Sequence, residues 1–415
     1  MPNQYTLSNG ITVITERLAH SPSVTVGIWV RAGSVDEEKN AGVSHFIEHM
    51  LFKGTNTRGW RQISEDIEKL GGQINAFTGK EATCYYVKTL SEHLPDCLAV
   101  LADMLTDSVF DEAEMEKEKG VILEEIKMIE DVPDDWGHDL ITEAIFRGGS
   151  LERRIIGTRE SVLGISRRDA LDYLAARYTP DGIVVSVCGL FEEDALRAVL
   201  EKFLGGLRGR QAPRVFRPDL GVPDRDSLVR DIEQTHLFFG TKGVRYEDDD
   251  LYVFDLYASL LGGGMSSRLF TAVREEKGLA YAVYAAQSSF TDDGQFEIYA
   301  GVADEKAEAA AAAIREEVAR LAEDSVSEEE LARVREQYKS ATIFRRESGS
   351  SRMFSNGRNL LLTGRYFSEE EILAGADAVG PADIRRIAER LADFSAYAGV
   401  VIGPRAVNPA GLLGQ

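Results

Sequence analysis

The sequence predicts an α+β protein of two similar lobes from an internal duplication, each lobe a mixed or antiparallel sheet packed with helices. Three observations carry that expectation. Strand-like runs come in pairs and alternate with long amphipathic helices. The order of these elements recurs in the second half of the chain. Both halves also run through the same tripeptide at the same point in that order, Asp107-Ser108-Val109 and Asp324-Ser325-Val326. With 415 residues and 44% hydrophobic side chains, the chain can bury two cores of ordinary domain size.

The first residues read as a strand, an Asn9-Gly10 hairpin turn and a second strand. They carry no basic segment followed by an apolar one, so they read as structure and not as a signal peptide. A helix over Ser64–Leu70 stops at Gly71-Gly72, and strand Gln73–Phe77, a turn at Gly79 and strand Thr83–Leu90 follow. The second half repeats this with helix Thr271–Lys277, strand Leu279–Ser288, a turn at Asp292-Asp293-Gly294 and strand Gln295–Ala300. Each hairpin leads into a long helix, Leu94–Thr106 and Lys306–Glu323, and then a charged one, Glu112–Ile129 and Glu328–Arg346. The acidic starts of the charged helices suit the positive end of the helix dipole. The β-branched run Gly182–Phe191 has the length of a buried strand. Glycines and prolines between Gly205 and Asp226 break the periodicity. The expected division is therefore a lobe over 1–210, a linker over 211–222 and a second lobe over 223–415.

Acidic residues outnumber basic ones by 69 to 47, a formal net charge of −22. Phosphate neutralisation needs clustered Lys and Arg, so a nucleic-acid partner is excluded. The same sign excludes docking on anionic membrane. A cationic or neutral partner fits, since an acidic cavity attracts cations, although solubility alone also accounts for the charge. No apolar run approaches the ~18 residues of a membrane-crossing helix. Three scattered cysteines, Cys84, Cys97 and Cys188, make no disulfide framework and place the chain in a reducing cytosol.

Of six histidines, two fall in His45-Phe46-Ile47-Glu48-His49. On a helix, His45 and His49 lie one turn apart on one face, where both imidazoles can reach one metal ion. Glu48 projects from nearly the same side, beside a water held there. Two histidines leave a catalytic site incomplete, because such sites use three protein ligands. The candidate region for the third is Glu116–Glu125, where Glu118 and Glu125 share a helical face at two-turn spacing. Glu124 is turned away, toward solvent or Lys117. Periodicity does not choose among these glutamates.

The segment Gly42-Val-Ser-His45-Phe-Ile-Glu48-His49-Met-Leu-Phe-Lys-Gly-Thr55 resembles the pitrilysin and insulin-degrading metallopeptidases. The resemblance is to the branch of the mitochondrial processing peptidase catalytic subunit and its bacterial homologues. It implies that His45, His49 and Glu125 hold one Zn2+ per chain, with Glu48 as general base and Glu118 as a supporting carboxylate. Gly72-Gln-Ile-Asn75-Ala76-Phe-Thr78 resembles the family's substrate-side edge strand, which places Asn75 and Ala76 against the peptide main chain. Leu269–Tyr281 resembles the segment that contacts substrate through an Arg and a Tyr seven apart, which implies that Arg274 and Tyr281 hydrogen-bond the substrate and help polarise the scissile carbonyl. Leu261–Ser267 sits where the processing peptidase's non-catalytic subunit carries a longer glycine-rich substrate loop. His236, in Gln234-Thr-His236, reads as structural, and with a single histidine the second lobe cannot repeat the metal site.

The implied function is a zinc endopeptidase that takes peptides or unfolded segments as an added strand inside a closed chamber. The first lobe would catalyse and the second contact substrate. A non-catalytic scaffold or assembly subunit on the same fold is the alternative, and a zinc hydrolase of a non-peptide substrate is another. Family members of this length supply two of the four lobes of a chamber. A homodimer is the economical reading, a heterodimer with an inactive homologue the other. The expected location is the bacterial cytoplasm.

Overall fold

The computed structural model describes residues 2–324 and 326–415. Ser325, in the second copy of the tripeptide, lies outside the described residues. Asn3–Thr6 (β1) and Thr12–Arg17 (β2) form the expected hairpin around Asn9-Gly10. Ser23–Val30 (β3), Gln73–Thr78 (β4), Thr83–Leu90 (β5) and Ile183–Gly189 (β6) complete a six-stranded sheet in the order β1-β2-β6-β3-β5-β4. Strand β6 lies parallel to β2 and antiparallel to β3, and all its residues are buried. That position explains its near-continuous apolar sequence.

Arg225–Val229 (β7), Gln234–Lys242 (β8), Ala280–Ser289 (β9), Gly294–Ala303 (β10) and Ala398–Gly403 (β11) form the second sheet. Its order is β7-β11-β8-β10-β9. Counted along the chain, this is the order of β2 to β6 in the first sheet. The pattern of directions also matches, since only β2–β6 and β7–β11 pair in parallel. The duplication therefore extends to topology, and both sheets are mixed.

The chain forms two compact units, one of Met1–Lys127, Arg153–Phe216 and Ile343–Ser368, the other of Met128–Glu152, Arg217–Thr342 and Glu369–Gln415. The expected division at 211–222 falls between the strands of the two sheets. Two helices, however, lie across it from the sheet they cover. Helix Gly349–Thr363 packs on β3 and β6 of the first unit, and helix Pro133–Ile145 packs on β8 and β11 of the second. Close approach accounts for glycine at two of these contacts. A Cβ on Gly27 would stand 2.3 Å from Met353 Sδ, and one on Gly137 would stand 2.0 Å from Phe238. Periodicity marks a helix but says nothing about which sheet receives it.

Within the first unit the helices are Val43–Leu51 (α1), Trp60–Glu68 (α2), Leu94–Asp107 (α3) and Glu112–Glu130 (α4). Helix α2 starts before the expected Ser64 because Ile63 and Ile67 are the residues it buries. Segment 211–216 is fastened to the first unit and is not a free linker. Arg214 Nε and Nη2 each donate to the buried Asp36 carboxylate at 2.8 Å, and Gln211 Nε2 donates to the Arg31 carbonyl at 2.8 Å. In the second unit, the expected helix Thr271–Lys277 is a wider-wound Phe270–Glu276, with Lys277 N–H donating to the Ala272 carbonyl at 3.3 Å. Among the described residues, no helix is long and apolar enough to cross a membrane.

Candidate metal centre

Helix α1 is held from one side by its apolar residues Phe46, Ile47, Met50 and Leu51, all buried. Its N-terminus needs other help, because the capping residue is Gly42, in the left-handed region at φ 88°. A side chain there would meet the Ile156 carbonyl at 2.6 Å, so glycine is required and no capping side chain is available. Glu37 supplies the missing acceptor. Its two carboxyl oxygens accept from Gly42 N–H at 2.7 Å and Ser44 N–H at 2.9 Å. Burial pushes the Glu37 carboxyl up to about 8, against these backbone donors.

The same helix carries His45, Glu48 and His49, and the last two are half-buried. His45 Nε2 and His49 Nε2 stand 3.3 Å apart, and Glu125 Oε2 on α4 lies 3.8 Å from the first and 3.6 Å from the second. A tetrahedral ion with bonds of ~2.0–2.2 Å has ligand–ligand edges of roughly 3.3–3.6 Å. Two of the three separations fall in that range and the third, His45 to Glu125, exceeds it by about 0.2 Å, so a small side-chain movement closes the set on a zinc-sized ion. Protonation states fit as well. Burial and the neighbouring His49 ring depress the His45 pKa to about 3, which leaves that imidazole neutral. His49 Nδ1 donates to Glu118 Oε1 at 2.8 Å, and because a carboxylate only accepts, the His49 Nε2 lone pair is left facing the centre. Lys53 Nζ holds the other Glu118 oxygen at 2.6 Å. Burial raises the Glu118 pKa, but the hydrogen bonds from His49 and Lys53 outweigh it and keep the carboxyl below its ordinary value. No other cluster of this kind is present among the described residues.

Glu48 accepts a hydrogen bond from Thr78 Oγ1 at 2.5 Å. Its pKa is raised by burial, in spite of that bond and of His49 nearby. Glu124, in contrast, points outward and pairs with Lys127 at 2.6 Å, not with Lys117, which bonds Glu114. The helix places i and i+3 side by side, which the expectation for Glu124 overlooked.

Residues 12–159 match the family model described as insulinase (peptidase family M16), and residues 164–338 match that of the peptidase M16 inactive domain. An uncharacterized zinc protease of Bacillus subtilis is 39% identical over 411 residues, 99% of this chain and 100% of the relative. The chain belongs to the insulinase family. An uncharacterized zinc protease of Rickettsia bellii is 36% identical over 400 residues, 96% of each chain. Among solved structures, a protease from Helicobacter pylori superposes with a TM-score of 0.92 at 20% identity, covering 97% of this chain and 99% of that one. A peptidase M16 inactive domain from Pseudomonas fluorescens gives 0.91 at 17% identity, covering 98% and 99%. At such identities these likenesses show the family's two-lobed fold.

Of the remaining expected residues, Asn75, Ala76 and Tyr281 fall on edge strands, Arg274 on the helix Phe270–Glu276 and His236 on the central strand β8. Asn75 and Ala76 lie on β4, an edge strand of the first sheet, where Asn75 Oδ1 accepts from Ala76 N–H at 2.8 Å. Arg274 and Tyr281 lie in the second unit, with the guanidinium 5.5 Å from the Tyr281 ring and 4.7 Å from the Phe270 ring. Tyr281 is the extra residue of a bulge in edge strand β9, between Ala280 and Ala282, and is 75% exposed. A bulge turns a side chain out of the pleat, which suits a contact residue. His236 bonds Tyr299 on the adjacent strand at 3.0 Å, as a structural residue would.

Sequence reasoning missed Glu37, Lys53 and Thr78. Lys53 had a local signal in its place four residues after His49, although α1 ends at Leu51 and Lys53 lies just beyond it. Glu37 and Thr78 had none, because their partners are brought to them only by folding. The bounds 1–210 also enclose His138, whereas helix Pro133–Ile145 carries it into the second unit. There it bonds Glu297 at 3.0 Å and Tyr284 at 2.7 Å, which gives that unit a second histidine.

Proposed function

We propose that this chain is a zinc endopeptidase that hydrolyses peptides or unfolded segments taken as an added strand on β4. Membership of the insulinase family, with relatives named as zinc proteases, makes it a zinc-dependent peptidase. The finer reading rests on the convergence of His45 Nε2, His49 Nε2 and a Glu125 oxygen, with Glu48 beside them on one helix. Those three residues would hold one zinc per chain. Bound there, zinc would supply Lewis acidity toward water and the scissile carbonyl.

Glu48 takes the proton from the attacking water and returns it to the leaving amine. Glu118 orients the His49 ring through Nδ1–H and so keeps its Nε2 turned to the centre. The free edge of β4 pairs with the substrate main chain through Asn75 and Ala76, which gives affinity with little dependence on side chains. Arg274 and Tyr281 contact substrate, and the Tyr281 hydroxyl donates to the developing oxyanion. The excess of acidic residues favours basic peptides. A homodimer supplies the four lobes of a chamber. Buried free thiols at Cys84, Cys97 and Cys188 fit a reducing cytosol. A scaffold subunit has no need of a complete donor set, so its completeness supports the peptidase.

The deciding experiment compares cleavage of a peptide library by wild type and Glu48→Gln, with zinc content measured on both. The expected result is equal zinc content and a loss of cleavage of about 10²–10⁴-fold. A zinc-loaded Glu48→Gln protein with wild-type cleavage would refute the reading.

A further inference from the structure

Glu48 lies at the end of a flexible side chain, yet a general base must present one oxygen in one place. Among the described residues its only hydrogen-bond partner is Thr78, whose Oγ1 lies 2.5 Å from Glu48 Oε2. A carboxylate only accepts, so the Thr78 hydroxyl donates. The neighbouring hydroxyl does not compete for that proton. Thr83 Oγ1 stands 3.5 Å from Thr78 Oγ1 and donates instead to the Ala32 carbonyl at 2.9 Å.

Thr78 is itself well placed to hold a position. It pairs with Thr83 as the last register pair of the β4–β5 hairpin, which Gly79 N–H closes onto the Ala82 carbonyl at 2.8 Å. Its branched Cβ further restricts χ1. Along β4, Ile74, Ala76 and Thr78 share the less exposed face, and β4 packs against α1.

We infer that Thr78 is a positioning residue for the general base. Its hydroxyl fixes Glu48 Oε2 and leaves Oε1 to handle the proton. The edge strand proposed to receive the peptide thus also sets the base, two residues from Ala76. Without the bond, the Glu48 side chain regains rotamer freedom and spends less time in the productive geometry. This inference rests on the reading of Glu48 as general base.

The test uses zinc-loaded Thr78→Val, which removes the hydroxyl at nearly constant shape, and Thr78→Ser, which keeps it. The valine variant should lose kcat by about 10–100-fold with KM within about twofold, while serine stays within about threefold of wild type. Zinc content should match wild type in both. In crystal structures, the Glu48 carboxylate should occupy its wild-type position in the serine variant and leave it in the valine variant. Wild-type kcat in Thr78→Val, equal losses in both variants, or an unmoved carboxylate in the valine variant would each overturn the inference. If Glu48→Gln instead cleaves at the wild-type rate, the general-base reading fails, and the crystallographic comparison still decides whether Thr78 holds Glu48.

Discussion

His49 Nδ1 lies 2.8 Å from Glu118 Oε1, and Lys53 takes the other oxygen of the same carboxylate at 2.6 Å. Neither Glu118 nor Lys53 is among the three residues that converge on the centre. In the proposed site they hold a proton on Nδ1 and so keep the Nε2 lone pair available. Glu118→Gln keeps the shape and loses the charge. Its zinc affinity should fall about 10–100-fold in a chelator competition. An unchanged dissociation constant would show that Glu118 does not tune the ligand.

Glu124 and Glu125 are adjacent on α4, yet only Glu125 reaches the histidines. Glu125→Ala should bind zinc at far below one equivalent when measured by elemental analysis after dialysis. Glu124→Ala breaks only an exposed pair with Lys127, worth about 0–1 kcal/mol. It should keep full zinc content and an unshifted melting temperature. The reverse pattern would place the third ligand one residue too late.

Tyr281 stands in a bulge with 75% of its surface exposed, so its phenol supports little of the fold. Tyr281→Phe should leave the melting temperature unchanged and lower kcat by about 10²-fold, the usual cost of one oxyanion donor. Unchanged kcat would remove Tyr281 from the chemistry.

Glu37 makes stability depend on pH. Its carboxyl titrates at about 8 in the folded chain against 4.5 ordinarily, because burial disfavours the charge. The folded chain therefore binds this proton more tightly than the unfolded chain. Stability linked to it is complete below about pH 4.5 and is lost as the pH rises through about 8. The wild-type melting temperature should fall between about pH 6 and pH 9, and Glu37→Gln should show a shallower fall over that range. Parallel curves for the two proteins would rule out Glu37 as the source.

The sequence by itself determined what depends on neighbours along the chain. The period of apolar residues marked β4, β5, α3 and α4 close to their observed bounds. The recurrence of elements predicted two similar lobes, and the two sheets share a strand order. The spacing of His45 and His49 put two imidazoles on one helical face, since that follows from 3.6 residues per turn. Spacing left Glu118, Glu124 and Glu125 unseparated, and family resemblance was needed to single out Glu125.

Tertiary structure decided what depends on segments distant in sequence. It exchanged helices Pro133–Ile145 and Gly349–Thr363 between the sheets and fastened residues 211–216 through Arg214 and Asp36. It brought Glu37 to a helix whose glycine cap has no side chain, and Thr78 to Glu48 across 30 positions. Such contacts leave no periodic trace, because burial and hydrogen-bond satisfaction select them only after the chain has closed on itself.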